Sequence, residues 1–125
     1  SLHKGGSMRL GLYECKIIDS TYTKKIYKST NIKERHRHRY EVNNKYVKEL
    51  ANVGLISSGV HTEGDLVEIM EYNDHPFMIG VQFHPEFLST PLSPHPLFVE
   101  FVKSALNNKD IRSNKINNEK ESQIT

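Results

Sequence analysis

The sequence predicts a mixed α/β domain, and three observations carry that expectation. Short apolar segments bounded by turn residues recur as strands, and two stretches carry helix signals: a capped run after Asn43-Asn44 and an apolar stripe after Pro96. The third observation is Phe77–Phe83 (FMIGVQF), an apolar run of strand length. Strands of that kind are buried on both faces of a sheet covered by helices, so it is expected at the centre. The length, 125 residues, limits the chain to one domain's worth or less.

The elements follow in order. Arg9–Asp19 (RLGLYECKIID) is apolar and aromatic with one glycine, and reads as a strand. Ser20–Tyr27 reads as a short helix. Arg37–Val42 alternates with period two and leads to Asn43 and Asn44, good N-caps for a helix over Lys45–Val53 that Gly54 closes. Leu55–Val60, Leu66–Tyr72 and Phe77–Phe83 are strands separated by Glu63-Gly64-Asp65 and by Asn73-Asp74-His75-Pro76. The last two of these strands are suited to pair as a hairpin. Leu97, Phe98, Phe101, Val102, Ala105 and Leu106 recur at helical spacing behind Pro96, which predicts a helix over Pro96–Leu106.

Residues 107–125 are different in kind, with five Asn, seven charged residues and three Ile in nineteen positions. Such a segment has too little apolar surface to offset its ordering entropy and is expected to be disordered, leaving 1–106 as the folded part. Loop-like residues Gly5, Gly6 and Ser7 and the absence of an initiator Met suggest a piece of a longer polypeptide.

Composition excludes several classes. Net charge is +2, from 17 Lys and Arg against 15 Asp and Glu, which gives no warrant for nucleic-acid binding. Apolar runs fall far short of the roughly 20 residues a membrane span needs, and no signal-peptide core opens the chain, so a soluble, intracellular protein is expected. A single cysteine, Cys15, permits no internal disulfide and no zinc framework of paired cysteines.

Two motifs carry chemistry. Gly80–Phe87 spells GVQFHPEF, an apolar strand ending on His84-Pro85-Glu86. Function collects at the carboxyl ends of strands in α/β sheets. Pro85 disfavours a helical His84 and so stops the strand in an extended corner. Residues two apart then project to one side, which brings the Glu86 carboxylate to Nδ1 of His84 and leaves Nε2 free as a proton acceptor. A base with its orienting acid lacks only a nucleophile. The alternative is a strand-end histidine held by a turn carboxylate.

Glu34–Asn43 spells ERHRHRYEVN. On a strand Arg35, Arg37 and Arg39 face one way, and His36 and His38 the other. An arginine fork suits a carboxylate or phosphate; the alternatives are an edge strand made soluble by charge and a nucleic-acid strip. A metal site from His36, His38 and His84 has no spacing signature behind it. Cys15 lies in a strand-like run without the small residues of a nucleophile elbow, and is read as packing.

With these residues in hand the chain resembles the CTP synthase family, in the C-terminal part of its class I glutamine amidotransferase domain. The matching blocks are GGSMRLG (Gly5–Gly11), ERHRHRYEVNN (Glu34–Asn44), LVEIMEYNDHPFMIGVQFHPEF (Leu66–Phe87) and LSTPLSPHPLFVEFVKSAL (Leu88–Leu106). FHPE is shared across class I amidotransferases, whereas ERHRHRYEVN separates this family from the others. The resemblance implies a flavodoxin-like, three-layer α/β/α domain that hydrolyses L-glutamine and passes ammonia to a synthase domain, where ATP phosphorylates UTP and ammonia completes CTP. It implies His84 and Glu86 as catalytic residues and Arg39 as the residue that contacts glutamine. The catalytic cysteine, the oxyanion loop and the synthase domain lie upstream in the family and are absent from this sequence, so the segment alone is expected to be inactive. For the parent the resemblance implies ATP with Mg2+, GTP as allosteric activator, a homotetramer and a cytoplasmic location, with no nucleic acid and no membrane among its partners. A non-catalytic relic that binds a nucleotide or carboxylate through the basic strand is the competing reading.

Overall fold

A computed structural model describes residues 8–124; the loop-like opening at residues 1–7 and Thr125 lie outside the described residues. The chain runs β1 (Arg9–Ile17), α1 (Tyr22–Tyr27), β2 (Asn31–His38), a 3₁₀ turn at Asn44–Tyr46, α2 (Val47–Asn52), β3 (Leu55–His61), β4 (Val67–Tyr72) and β5 (Ile79–Val81). A second 3₁₀ turn at Pro85–Leu88 and α3 (Pro96–Ile124) complete it. The five strands form one sheet in the order β2-β1-β3-β4-β5, and every neighbouring pair is antiparallel.

Local chemistry explains the elements. Thr21 caps α1 by accepting from the Lys24 N–H, and Lys28 closes the helix in the left-handed region. Asn43, as expected of an N-cap, accepts from the Lys45 N–H, but the first turn it opens is 3₁₀ before α2 begins. Gly54 follows at φ 96, a value that favours glycine. Gly59 answers a different need. A Cβ there would meet Ile69 at 2.8 Å and the Cys15 sulfur at 3.0 Å, so β1, β3 and β4 approach this closely only over a bare backbone. The core that results is small: Cys15, Ile17, Ile69, Phe83 and Leu97, bordered by Ile26, Tyr27, Ile32, Ile79 and Val81.

Three expectations need correction. Phe77–Phe83 does not form a central strand buried on both faces: β5 is three residues long, lies at the sheet edge, and leaves Met78 49% exposed. Apolar composition marked it for burial, but among the described residues nothing pairs with its outer edge. The expected hairpin with β4 is present, in the register Ile69↔Val81, Met70↔Gly80 and Glu71↔Ile79. Secondly, β2 begins at Asn31, six residues before the period-two signal, and ends at His38, so Arg39 lies in the bend beyond it. Thirdly, residues 107–124 are helical rather than irregular, continuing α3. No Gly or Pro interrupts 97–124, so nothing in the backbone stops the helix. Composition did foretell the lack of packing, since every residue from 105 to 124 is exposed.

Candidate active site

β5 delivers the site. After Val81 the chain bends, buries Phe83 in the core, and donates the His84 backbone N–H to the Arg35 carbonyl at 2.9 Å, which ties the corner to β2. His84 is extended (φ −113, ψ 90), and Pro85 opens the 3₁₀ turn immediately after it. The turn brings Glu86 back beneath the ring: His84 Nδ1 and Glu86 Oε1 are 2.7 Å apart. Phe87 stacks on the imidazole with ring centroids 5.1 Å apart and planes 24° apart. The pair is open to solvent, with side chains 38% and 54% exposed. The Glu86 carboxyl is held below its usual range by its own backbone N–H first and by His84 second, so it stays an acceptor. Its acceptance of the Nδ1 proton leaves His84 Nε2 unprotonated in the neutral ring and without a partner among the described residues.

On β2 the alternation is as expected: Arg35 and Arg37 are exposed and His36 is buried on the opposite side. Arg39 is exposed too, but in the bend, and the structure shows no contact between it and His84 or Glu86. Cys15 is completely buried in the core and unpaired, and burial first, with Glu68 next, pushes its thiol far upward. A thiol so placed is packing and not a nucleophile. Among the described residues no three His, Cys, Asp or Glu side chains form a group able to hold a metal ion. His36 Nδ1 instead meets His38 Nε2 at 2.9 Å.

Sequence reasoning missed the polar interior. Arg9, Glu34, Glu68, Glu71 and His95 are all buried. Glu71 accepts from the Tyr22 and Thr23 backbone N–H groups at 2.9 and 3.0 Å, holding the start of α1. Arg9 reaches Glu68 at 2.5 Å and Glu41 at 3.1 Å. The available signal was positional: Glu68 and Glu71 interrupt an apolar strand, and charges inside such a run survive only with partners.

The sequence model of the class I glutamine amidotransferases matches residues 1–104. This chain belongs to that family. The amidotransferase segment is 55% identical over 103 residues to a CTP synthase of Christiangramia forsetii and 56% identical over 108 residues to that of Geobacter sulfurreducens. These alignments cover 82% and 86% of this chain but 19% and 20% of the relatives, so the chain spans about one fifth of their length. Among solved structures, it is similar to the glutaminase domain of Trypanosoma brucei CTPS with bound acivicin, at TM-score 0.75 and 42% identity, covering 81% of this chain and 40% of that one. The sheet is wholly antiparallel, and the residues that build it match a 40% share of that glutaminase-domain chain.

Proposed function

We propose that this segment supplies the acid–base half of a glutamine-hydrolysing site in a CTP synthase, with His84 as the proton carrier, Glu86 as its orienting carboxylate and Arg39 as the glutamine anchor. The observation that carries the reading is the His84–Glu86 contact at 2.7 Å, exposed at the end of β5 with Nε2 unengaged. A purely structural histidine has no use for a free ring nitrogen.

The chemistry follows from that geometry. A cysteine thiol from upstream polypeptide gives its proton to His84 Nε2, and the thiolate attacks the side-chain amide carbon of glutamine; the C–N bond breaks, and His84 Nε2 passes that proton to the departing ammonia. Water then attacks the thioester, His84 takes a proton from it, and glutamate leaves with the thiolate restored. Glu86 stabilises the imidazolium in each half. The Arg39 guanidinium, extending from the bend beyond β2, grips the charged carboxylate of glutamine, a contact worth about 1.5–3 kcal/mol. In this reading the parent enzyme uses ATP and Mg2+, with GTP as allosteric activator. The outer edge of β5, which has no partner strand among the described residues and lies beside an apolar groove of about 460 Å³ lined by Val42, Leu55, Met70, Met78 and Ile79, is the seat proposed for the upstream part of the domain. A cytoplasmic, tetrameric parent belongs to the same reading.

The test places this segment behind the upstream portion of a relative such as the Geobacter sulfurreducens enzyme. The swapped enzyme is expected to form CTP from UTP and ATP with either glutamine or ammonia, while its His84→Ala form uses ammonia alone. The 125-residue chain by itself is expected to release no ammonia from glutamine; turnover abolished by Cys15→Ser would overturn the assignment.

A further inference from the structure

Behind the exposed arginines lies a buried chain of charges that the glutamine chemistry leaves unused. His36 is fully buried, with His38 on one side and Glu68 on the other. His38 Nδ1 lies 3.1 Å from the Tyr40 carbonyl and 3.5 Å from Glu41 Oε1. Arg9 bridges Glu68 and Glu41 and lies over the Tyr13 ring at 4.6 Å, and the edges of Tyr13 and Phe83 enclose His36.

The hydrogen inventory of this chain calls for three protons on the two imidazole rings. A carbonyl only accepts, so His38 Nδ1 carries a proton for Tyr40. One further proton lies between His38 Nε2 and His36 Nδ1, carried by one ring and accepted by the other. That leaves His36 Nε2 3.4 Å from Glu68 Oε2, both atoms fully buried and otherwise unpartnered. Without a proton on His36 Nε2 two lone pairs would face each other there. A proton on that nitrogen removes the clash, and the charges of the chain then cancel: Arg9 and the His36–His38 pair against Glu68 and Glu41. Burial alone would raise the Glu68 carboxyl, but hydrogen bonds from His36 and Arg9 outweigh it and bring it below its usual range.

We propose that this buried chain, with His38 as its outer link, is a positioning device that fixes the bend carrying Arg39. His38 holds the Tyr40 carbonyl and Arg9 holds Glu41, so the backbone on the far side of Arg39 is fastened inward at two points while the Arg39 side chain stays outside. The same strand, through the Arg35 carbonyl and the His36–Phe83 ring contact, holds the corner at His84. The chain of charges therefore sets the anchor and the base of the proposed glutamine site on one frame. The assignment of a glutamine role rests on the function proposed above; the proton arrangement does not.

Two substitutions separate a bond to the bend from simple packing. The amide nitrogen of Asn occupies the place of imidazole Nδ1, and that of Gln the place of Nε2. In the swapped enzyme His38→Asn is expected to keep a glutamine KM close to that of the parent. His38→Gln, which abandons Tyr40, should raise it roughly tenfold or more, with CTP formation from ammonia unchanged in both. An unchanged KM in His38→Gln, or loss with both nitrogen sources, would overturn the positioning role. Histidine 15N spectra of the 125-residue chain at neutral pH test the proton arrangement separately: His38 protonated at Nδ1, His36 protonated at Nε2 and one proton between the two rings is the expected result. A His36 bare at Nε2, or a His38 protonated at Nε2 instead of Nδ1, would overturn it. If the unsubstituted swapped enzyme failed to use glutamine, the functional reading would fall while the spectra still decided the buried chain.

Discussion

The protein holds two histidine–glutamate pairs of similar length and opposite character. His84 and Glu86, two residues apart in one chain corner, meet at 2.7 Å in the open. His95 and Glu34, sixty-one residues apart, meet at 2.5 Å with both side chains 3% exposed. In the second pair both ring nitrogens are used: His95 Nδ1 accepts the Leu97 N–H and so caps α3, its Nε2–H goes to Glu34, and Glu34 Oε1 also accepts from Tyr27. That pair fastens β2, α1 and the start of α3 to each other and has no ring nitrogen left for chemistry. In the first pair one ring nitrogen is oriented and the other is free. What distinguishes a base from a brace here is the state of the second nitrogen, since the contact distances are alike.

The largest effect that comparison predicts is on stability. His95→Ala strands the Glu34 carboxylate in the core with Tyr27 as its remaining partner, and should cost about 3 kcal/mol in urea unfolding. Glu86→Gln, at the exposed pair, should leave the same midpoint unmoved. A comparable loss from both would erase the distinction between the two pairs.

Next comes the anchor. Arg39→Ala in the swapped enzyme should raise the glutamine KM on the order of tenfold or more while the maximal rate changes less, because lost ground-state binding appears in KM. Arg39→Lys should recover part of it, an ammonium lacking the planar fork. No change in either variant would reduce Arg39 to a solvated charge like Arg37.

How much of this could be read from the residues depends on how local each cause is. The His84–Glu86 contact was legible because Pro85 and a spacing of two dictate it. The side preference of Arg35 and Arg37 against His36 followed from strand period alone. The place of β5 was not legible, since an apolar run signals burial without saying which chain provides the cover. The pairing of His95 with Glu34, and of Arg9 with Glu68, depends on tertiary neighbours far apart in sequence. For α3, composition spoke correctly to the missing contacts of 107–124 and not to backbone conformation, which no Gly or Pro opposes.

A smaller effect concerns acid. Glu68 is buried and its carboxyl lies below the ordinary 4.5, so its contribution to stability is fully present above that value and is lost as pH falls through the lower folded one. The acid limb of stability should accordingly begin below about pH 4.5. Glu68→Gln should be less stable at neutral pH and show a shallower acid limb. An acid limb identical to that of the parent would mean that Glu68 is not paired as described.

The central claim is that His84 carries protons while His95 carries structure, and one assay addresses it: the ratio of glutamine-dependent to ammonia-dependent CTP formation, measured for His84→Ala and His95→Ala in the swapped enzyme at a temperature where both remain folded. The expected ratio is lowered roughly 10²-fold or more by His84→Ala and unchanged by His95→Ala. A His84→Ala ratio equal to that of the parent, with both rates falling together, would contradict it.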